Sequence, residues 1–486
     1  MFYQRYFVTM SQTSLDRILN WSIRILLGAV VLFTVIGLYR HFDRNPDSRS
    51  TDGQYNVRNF GATGNAVALD TAAIQRAIDT CSRYGGGKVV FPAGKYLCGT
   101  LELKSNVTLD LQTGSEIFGS PNIKNYHTVD PFIDGDGQAF GYCLIGANHA
   151  NNIGIEGTGA INGDGVGFRG DRPFLIRLAH CNGITVRDVT LEQSAAWGLN
   201  LYRCRQILVD SVHIWNHANY NNDGIDVDSS ELVHITHCDI NSEDDCICLK
   251  TTTPTSCSHI RVDHCRLSSQ CAAVKFGSET MGTMRDIHIK DCYEYDTRLG
   301  GIKILSVDGA HISNVRFDNI KMKNVDMPIF IRLGGRLSTF HPGQSPRDVG
   351  SINNIVIRNV TAQASNQGRL LFPTGIFITG IPHHDVGHVL LENISITLSG
   401  GAPAGAAKIH VPEEITAFPD FFLFGLYLPA YGMYARHADD LVLNNVRFQL
   451  ENPDARPAIL CQNVKHIQWT NAPAPIMQTL PPANQP

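Results

Sequence analysis

The chain contains 486 residues, of which 17% are charged and 43% are hydrophobic. This low charged fraction excludes a disordered chain and a coiled coil, because both need more charge. Forty Lys and Arg residues stand against 45 Asp and Glu residues, and the net charge of -5 excludes the basic surface of a nucleic-acid-binding protein. Only one stretch, near the N-terminus, is apolar enough to enter a membrane, which excludes a polytopic membrane protein.

The N-terminus has the features of a targeting segment. Ile25–Tyr39 carries no charge and follows three arginines. Its fifteen residues suit the apolar region of a signal peptide and fall short of the roughly 20 that span a bilayer comfortably. No small-residue cleavage site follows, so a cleaved signal peptide and an uncut signal anchor both remain open. We therefore predict export, to the periplasm, to the medium or to the outer side of a membrane, with residues 1–50 separate from one catalytic domain at 51–486.

A helix is predicted next. Apolar residues recur at helical spacing, Asp70 or Thr71 could cap the start, and Gly85-Gly86-Gly87 would end the helix. The apolar positions are Ile74, Ala77, Ile78 and Cys81. Strands are predicted at Lys88–Phe91 and Val107–Leu111. An amphipathic helix at this place would cap the open end of a stacked β-structure.

The rest of the chain repeats a short pattern: apolar, any residue, apolar, two mostly polar residues, apolar. The first five intervals between copies are 23 to 28 residues, and period-two alternation within each copy indicates a strand. Units this short cannot bury a face alone and must stack. The prediction is an all-β fold, a right-handed parallel β-helix with about three strands per coil; leucine-rich repeats, the alternative, lack their leucine consensus. The copies begin at Ile184, Ile207, Val233, Ile260, Ile287, Val315, Ile355, Val389 and Leu441.

This stack also explains many of the 13 cysteines. Cys238, Cys265 and Cys292 occupy places where other copies carry Val or Ile, so we interpret them as an interior ladder of small apolar side chains, in preference to disulfides or metal ligands. The nearby histidines have no fixed metal-ligand spacing and are predicted to lie on solvated strand faces or at turns. They are His234, His237, His259, His264 and His288.

A second set of strands carries acidic residues. Four segments align on the inward residues Ile225, Ile247, Val274 and Ile302. The residues two places before these four are Asp223, Asp245, Ala272 and Gly300, in the same order. The residues one place after them are Asp226, Cys248, Lys275 and Lys303. Because coils stack about 4.8 Å apart, Asp223 and Asp245 should be neighbours, with Asp244 beside them.

Carboxylates this close cannot all ionise freely, so at least one pKa should rise and leave a proton donor beside charged acceptors. Glycoside hydrolysis needs one protonated carboxyl group to protonate the leaving oxygen and one ionised carboxylate to activate water. The adjacent lysines could neutralise a substrate carboxylate. An Asp-rich turn region or a calcium site is the structural alternative.

The segment Asn221–Asp226, followed by Asp244-Asp245-Cys246, resembles the signature of glycoside hydrolase family 28, the polygalacturonase family. The resemblance extends over most of the chain. It includes Tyr55–Leu111 near the N-terminus and, near the C-terminus, Leu428–Gly432 and Arg456-Pro457-Ala458. It implies a right-handed parallel β-helix that hydrolyses pectic polysaccharides with inversion and with no metal or other cofactor.

The resemblance also implies roles for individual residues. Asp244 matches the general acid, Asp223 and Asp245 match the residues that hold and activate water, and Lys303 matches the lysine of an Arg-Ile-Lys substrate-binding motif. Two residues of the family pattern are missing, a histidine at Ala272 and an arginine at Gly301, so the resemblance does not extend to all of the family's substrate contacts. The predicted substrate-binding residues are Lys303, Lys275, Arg298, Asn222 and Asp226.

Two other functions remain as alternatives. A polysaccharide lyase on the same scaffold would use calcium and a basic residue, for which Arg298 is available. A non-catalytic glycan-binding β-helix, such as an adhesin, is less consistent with three adjacent carboxylates, which would repel an anionic glycan. The expected partner is a polysaccharide and the expected assembly a monomer. Endo or exo action and the sugar linkage depend on loops such as 121–142 and 338–351.

Overall fold

The structure, a computed structural model, describes residues 52–479. Within this range the chain forms a right-handed parallel β-helix, which confirms the predicted fold. Each coil contributes strands to three stacks. No helix in this part of the chain is both long enough and apolar enough for a bilayer crossing. The predicted signal peptide or anchor at residues 1–50 lies outside the described residues and stays a prediction.

The first two stacks run side by side and join at Met284–Tyr295, which pairs with both Cys257–Asp263 and Arg266–Ser269. The strands of the first stack are Gln54–Asn56, Gly87–Phe91, Val107–Leu111, Asn151–Gly157, Asn182–Arg187, Arg205–Asp210, Glu231–Thr236 and Cys257–Asp263. Those of the second are Asn65–Leu69, Gly94–Cys98, Ser115–Gly119, Ala160–Asn162, Thr190–Glu192, His213–Asn216, Asp239–Ser242 and Arg266–Ser269. After the junction the strands are Met284–Tyr295, His311–Val325, Ser351–Ala364, Val389–Leu398, Leu441–Leu450 and Ile467–Thr470.

The third stack carries the acidic residues. Its strands are Leu101–Glu102, Ala139–Asn148, Phe174–Ala179, Leu199–Tyr202, Ile225–Asp228, Ile247–Thr251, Ala272–Thr280, Gly300–Ser306, Ile329–Leu333, Ile376–Thr379, Met433–Ala438, Ile459–Val464 and Ile476–Gln478. One antiparallel strand, Thr128–Ile133, pairs with Ala139–Asn148 to make a hairpin at the edge of this stack. Short 3-10 helices lie at Val57–Phe60, Ile123–Asn125, Gly165–Gly167, Ala404–Lys408 and Phe421–Phe424.

The predicted capping helix is Thr71–Arg83, and its four predicted apolar residues are fully buried against the first coils. Asp70 stands at the N-cap position, but its carboxylate accepts hydrogen bonds from the backbone of Thr63 and Gly64 instead of capping the helix. At the other end Gly85 and Gly86 adopt left-handed backbone angles, and Gly86 N donates to Cys81 O at 2.9 Å. The glycines therefore end the helix as predicted.

A one-residue bend with positive φ separates the first stack from the second in coil after coil. Asn, Asp and His tolerate this backbone conformation better than branched residues, and they fill most of the column. In the C-terminal coils the asparagine amides also bond along the column, from Asn393 to Asn359 at 3.1 Å and from Asn445 to Asn393 at 2.9 Å. The column consists of Asp188, Ser211, His237, His264, Asp291, Asn319, Asn359, Asn393 and Asn445.

The cysteine ladder lies directly after this bend. Cys238, Cys265 and Cys292 are buried in the core in consecutive coils, below Val212 and above Ile320. All thirteen cysteines are free thiols, and the burial of these three in consecutive coils confirms their place in an interior ladder of small apolar side chains. His237 and His264, at the bend itself, have side chains that are 60% and 51% exposed and stack at 5.0 Å, which confirms a solvated turn.

Candidate active site

The four inward residues that aligned the acidic segments lie opposite one another in the structure. Ile225 pairs with Ile247, Ile247 with Val274, and Val274 with Ile302. The outward neighbours Asp226, Cys248, Lys275 and Lys303 share the next register position. The predicted columns are therefore confirmed, and they bring the carboxylates of successive coils to one face of the third stack.

The backbone at the start of these strands is held firmly. Ser242 Oγ and Ser269 Oγ both donate to the carbonyl of Asp244 at 2.6 Å, and Asp245 N donates to Asp244 Oδ1 at 2.9 Å. One coil earlier, Asn216 Nδ2 donates to the carbonyl of Asp223 at 3.1 Å. The main chain at Asp223 and Asp244 is therefore fixed by buried side chains at the ends of second-stack strands, in the same coil and, for Ser269, in the next coil.

Asp245 lies in direct contact with an ammonium group. Its Oδ2 lies 2.6 Å from Lys275 Nζ, and its Oδ1 accepts from Ala272 N at 3.1 Å. Burial acts to raise the pKa of Asp245, but the ammonium groups of Lys275 and Lys303 outweigh it and hold that pKa below its ordinary value. Asp245 is thus buried and ionised.

Asp244, on the preceding residue, has the opposite shift. Its side chain is only partly buried and lines the pocket described below. Burial and the negative charge of Asp245 raise the pKa of Asp244, although Lys275 and Lys250 oppose the change. The pKa values of these two neighbouring carboxyl groups therefore shift in opposite directions, because only Asp245 contacts an ammonium group directly.

Asp223 and Asp226 form a second carboxyl pair one coil away. Their oxygens and Cys248 Sγ all lie within 4.8 Å of one another. Burial raises the pKa of Asp223 well above its ordinary value, with Asp226 and Asp244 adding to the effect, and burial raises the pKa of Asp226 to about 7. Like charges this close share a proton, so the pair is at most singly charged near neutral pH.

Lys250, which the sequence analysis missed, balances this pair. Its Nζ lies 3.6 Å from both Asp223 Oδ2 and Asp226 Oδ1 and 3.1 Å from Glu279 Oε2, and it stands 3.9 Å from the centre of the Trp197 ring. Burial acts to raise the pKa of Glu279, but Lys250 and then Arg336 lower it to about 2. Lys250 stands two places after Cys248 on the outward face, and this alternation was the signal that could have identified it.

These side chains line one pocket, here called the catalytic pocket, over the third stack. The carboxylates and lysines form its floor, Trp197 lines it as well, and segments from distant parts of the chain supply the rest of its wall. The lining residues are Asp134, Asp136, Trp197, Asn221, Asp223, Asp244, Asp245, Lys250, Cys271, Lys275, Ser278, Glu279, Phe418, Pro419 and Asp420. The sequence analysis did not place Asp134, Asp136 or the segment at 418–420 in this pocket. These residues lie on loops, which do not follow the coil repeat.

The predicted substrate-binding residues lie in three different settings. Lys303 is fully buried, and its Nζ lies 2.5 Å from Asp420 Oδ1, so it is less accessible than the sequence analysis expected. Asn222 is buried with no hydrogen-bond partner for its amide among residues 52–479. Arg298 is partly exposed and lines a second pocket beside Asp244. Lys275 lines the catalytic pocket, whereas Asp226 is fully buried beside Lys250 and does not line it.

Ala272 and Gly301, the two positions at which this chain lacks a residue of the family pattern, lie in closely packed surroundings. Ala272 is buried, and its backbone N–H contacts Asp245. At Gly301 a Cβ atom would stand 2.7 Å from Glu294 Oε2 and 2.9 Å from the Pro328 carbonyl. A larger side chain at Gly301 would therefore require the backbone of the next coil to move.

Two groups of side chains in the described part of the chain could hold a metal ion. They are Asp223, Asp226 and Cys248, and Asp244, Asp245 and Cys271. Each contains a thiol, whereas calcium prefers oxygen ligands. An ammonium group also stands next to each, Lys250 beside the first and Lys275 beside the second. These groups therefore fit a calcium site poorly.

Residues 81–410 match the family described as glycosyl hydrolases family 28. The chain belongs to this family. It is 27% identical over 359 residues to a probable polygalacturonase of Vitis vinifera, with 67% of this chain and 73% of the relative covered. It is 24% identical over 386 residues to an exopolygalacturonase of Zea mays, with 74% and 90% covered. A family 28 exopolygalacturonase of Yersinia enterocolitica has the same fold, with a TM-score of 0.68 at 21% identity over 87% of this chain and 79% of that one. Family membership makes the chain a glycoside hydrolase.

Proposed function

We propose that this family 28 enzyme hydrolyses glycosidic bonds in pectic polysaccharides or in related polymers that contain uronates. The observation that carries the proposal is the pair of opposite pKa shifts at Asp244 and Asp245 in one pocket. Hydrolysis of a glycosidic bond needs one protonated and one ionised carboxyl group on either side of the bond. The polygalacturonase names of the relatives support a pectic substrate.

In this proposal Asp244 is the general acid. Its raised pKa favours the protonated form of the carboxyl group, and its partial exposure lets the proton reach the leaving oxygen. Asp245 and Asp223 hold the attacking water. Asp245 takes the proton from this water because it is the ionised member, while Asp223 positions the water and shares its own proton with Asp226. Because water attacks the anomeric carbon directly, without a covalent intermediate, the reaction inverts the anomeric centre.

Of the predicted substrate-binding residues, we propose that Arg298 contacts the substrate directly, because it is partly exposed beside Asp244. Lys275 and Lys303 act mainly through Asp245, whose pKa they lower. Asp226 acts through the proton it shares with Asp223. The buried amide of Asn222 has no hydrogen-bond partner among the described residues. We propose that a substrate hydroxyl is its partner.

We also propose that the enzyme works outside the cytoplasm, since pectic polymers are extracellular and Ile25–Tyr39 has the composition of a signal segment. Fractionation of cells that express the full chain tests this. Activity on intact cells or in the medium is expected, and activity confined to the cytoplasm would contradict it.

Incubation with a panel of pectic polymers tests the function itself, with reducing ends and ultraviolet absorbance both recorded. New reducing ends without ultraviolet absorbance are expected. Equal growth of both signals would indicate β-elimination by a lyase. Binding without any new reducing ends would indicate a glycan-binding protein.

A further inference from the structure

The turn that carries Asp223 into the catalytic pocket comprises residues 217–224 and contains no helix or strand. The equivalent turn of the next coil, which carries Asp244, comprises only residues 243–246. The longer turn has more conformational freedom, and freedom in its main chain would displace the carboxyl group of Asp223. It therefore needs support from outside the coil repeat.

The loop at residues 163–173, two coils earlier, provides this support. Asn219 Nδ2 in the turn donates to the carbonyls of Gly165 and Phe168 in the loop, both at 3.0 Å. Near the other end of the loop, Arg172 is buried, with 2% of its surface exposed. Its guanidinium group contacts the turn directly, so the loop holds the turn at two places.

The guanidinium group of Arg172 contacts two consecutive residues of the turn. Arg172 Nη1 donates to the carbonyl of Tyr220, and Nη2 donates to Asn221 Oδ1 at 3.3 Å. Arg172 Cζ also lies 3.7 Å from the centre of the Tyr220 ring, which is a cation–π contact. Nη1 further donates to the carbonyl of Ala195, in the coil between, at 3.1 Å. A planar group with fixed donor directions therefore holds the main chain shortly before Asp223.

Arg172 also joins this turn to another wall of the catalytic pocket. Its Nη2 donates to Gln138 Oε1, in the loop of the hairpin, at 2.7 Å. Gln138 N in turn donates to Asp134 Oδ1 at 2.8 Å, and Asp134 lines the pocket. One guanidinium group thus links the hairpin with the turn that carries Asp223, although Arg172 itself does not line the pocket.

Every hydrogen bond that Arg172 forms is to a neutral oxygen. No carboxylate of residues 52–479 forms an ion pair with it, and its Nε has no hydrogen-bond partner in that part of the chain. Such a buried charge costs stability, because its hydration is lost without a counterion in contact. Burial lowers the pKa of Arg172, and the carboxyl groups that oppose this shift are those of Asp134, Asp223 and Asp244. The charge in return favours the ionised forms of these acids.

We propose that Arg172 is a positioning residue for hydrolysis, which fixes the turn that carries Asn221 and Asp223 into the catalytic pocket and places a positive charge behind the acids there. It contacts neither the substrate nor the attacking water. Asp223 depends on this support because its Oδ1 has no hydrogen-bond partner among the described residues, and Lys250 Nζ lies 3.6 Å from its Oδ2. This inference rests on the proposed function and adds to it a residue outside the pocket.

Kinetics of Arg172→Met and Arg172→Lys on one pectic oligomer test the proposal. Arg172→Met removes the charge and the hydrogen bonds, so kcat should fall by about 10²-fold, as a small misplacement of a reacting group can cause. KM should stay close to the wild-type value, because Arg172 does not line the pocket. Arg172→Lys keeps the charge but lacks the planar fork, so kcat should recover only in part. Arg447→Met, at an exposed position on the strand Leu441–Leu450, is the control and should match the wild type.

The pH–rate profile separates this role from a purely structural one. The reaction needs Asp244 protonated, so activity is lost as pH rises through the pKa of Asp244. Loss of the Arg172 charge raises that pKa, so the alkaline limb should move to higher pH in Arg172→Met and stay in place in Arg172→Lys. The other titratable groups that act on Asp244 are the same in both variants and are Asp223, Asp245, Lys250, Lys275 and Cys271.

Thermal melting of each variant gives the folded fraction at the assay temperature. Wild-type kcat in folded Arg172→Met would overturn the inference and leave the proposed function standing. So would a loss of kcat that only follows the folded fraction, with the alkaline limb in place. If Arg172→Met does not fold, Arg172→Lys decides, because wild-type kcat in that variant, or its failure to fold as well, would also overturn the inference. If the wild type yields no reducing ends from any polymer in the panel, both fail together.

Discussion

Lys275 Nζ lies 2.6 Å from Asp245 Oδ2, and both side chains are buried in the floor of the catalytic pocket. This ion pair keeps Asp245 ionised beside Asp244, whose pKa is raised. The contrast between the two neighbouring carboxyl groups therefore depends first on Lys275, and Lys303 adds to its effect on the pKa of Asp245. Lys275 pairs directly with Cys248 of the adjacent coil, three residues after Asp245, so stacking of adjacent coils creates the ion pair.

Replacing this lysine should move the acidic limb of the pH–rate profile. Lys275→Met removes the nearest positive charge, so burial dominates and the pKa of Asp245 rises. Since the reaction needs Asp245 ionised, activity should be lost at higher pH than in the wild type as pH falls. Lys321→Met, at an exposed position, is the control. An unchanged acidic limb in Lys275→Met would show that Asp245 is not the base.

Asp244→Asn should remove the acid while leaving the fold intact. The substitution keeps the side-chain volume and an oxygen that can accept from Asp245 N, but it removes the transferable proton. Loss of general acid catalysis typically costs about 10²–10⁴-fold in rate. Activity is measured as reducing ends, and thermal melting serves as the control for folding. More than about a tenth of wild-type activity would be incompatible with this role.

Lys250→Met should destabilise the protein strongly and in a pH-dependent way. Removing one partner of a buried ion pair costs about 3–5 kcal/mol, and Lys250 contacts Asp223, Asp226 and Glu279. Because Lys250 lowers the pKa of Glu279 to about 2, its stabilising contribution is present above the ordinary pKa of a glutamate and is lost as pH falls towards 2.

Urea unfolding of Lys250→Met and wild type at neutral and acidic pH measures this difference. The loss of unfolding free energy should be largest at neutral pH and should shrink at acidic pH, where the acids take up protons. Lys321→Met provides the surface control. A loss that is the same at both pH values would mean that packing against Trp197, not charge, accounts for the role of Lys250.

The fold was predictable because parallel stacking repeats one rule in every coil. A residue that faces inward in one coil lies above an inward residue in the next, so the alternation of Ile225, Ile247, Val274 and Ile302 determines the register. The same rule brought Asp223 and Asp245 together. It also identified the cysteine ladder, since Cys265 occupies a position that Val212 and Ile320 occupy in other coils.

Cys265→Val should therefore be nearly neutral. Volume-conserving apolar substitutions usually cost less than about 1.5 kcal/mol, and Cys265 contacts only the core and the Asp263 carbonyl. The free energy of unfolding is measured with and without reductant. A larger loss, or a wild-type stability that falls on reduction, would indicate a disulfide in solution instead of free thiols.

The walls of the site could not be predicted in this way. Asp134 comes from the hairpin and Asp420 from the segment that covers the C-terminal coils, and neither segment follows the coil repeat. Arg369 likewise lies on a loop after the strand Ser351–Ala364. Loop positions depend on tertiary contacts such as Gly135 with Glu279, which leave no periodic signal in the sequence. The floor of the site could therefore be predicted from the sequence, and the loops that form its walls could not.

The stereochemistry of the first product tests the central claim most directly. Proton NMR of a pectic oligomer during hydrolysis shows which anomer forms before mutarotation. An acid at Asp244 and water activated by Asp245 predict the anomer opposite to the linkage cleaved. A first product with retained configuration, or an unsaturated product, would contradict the account.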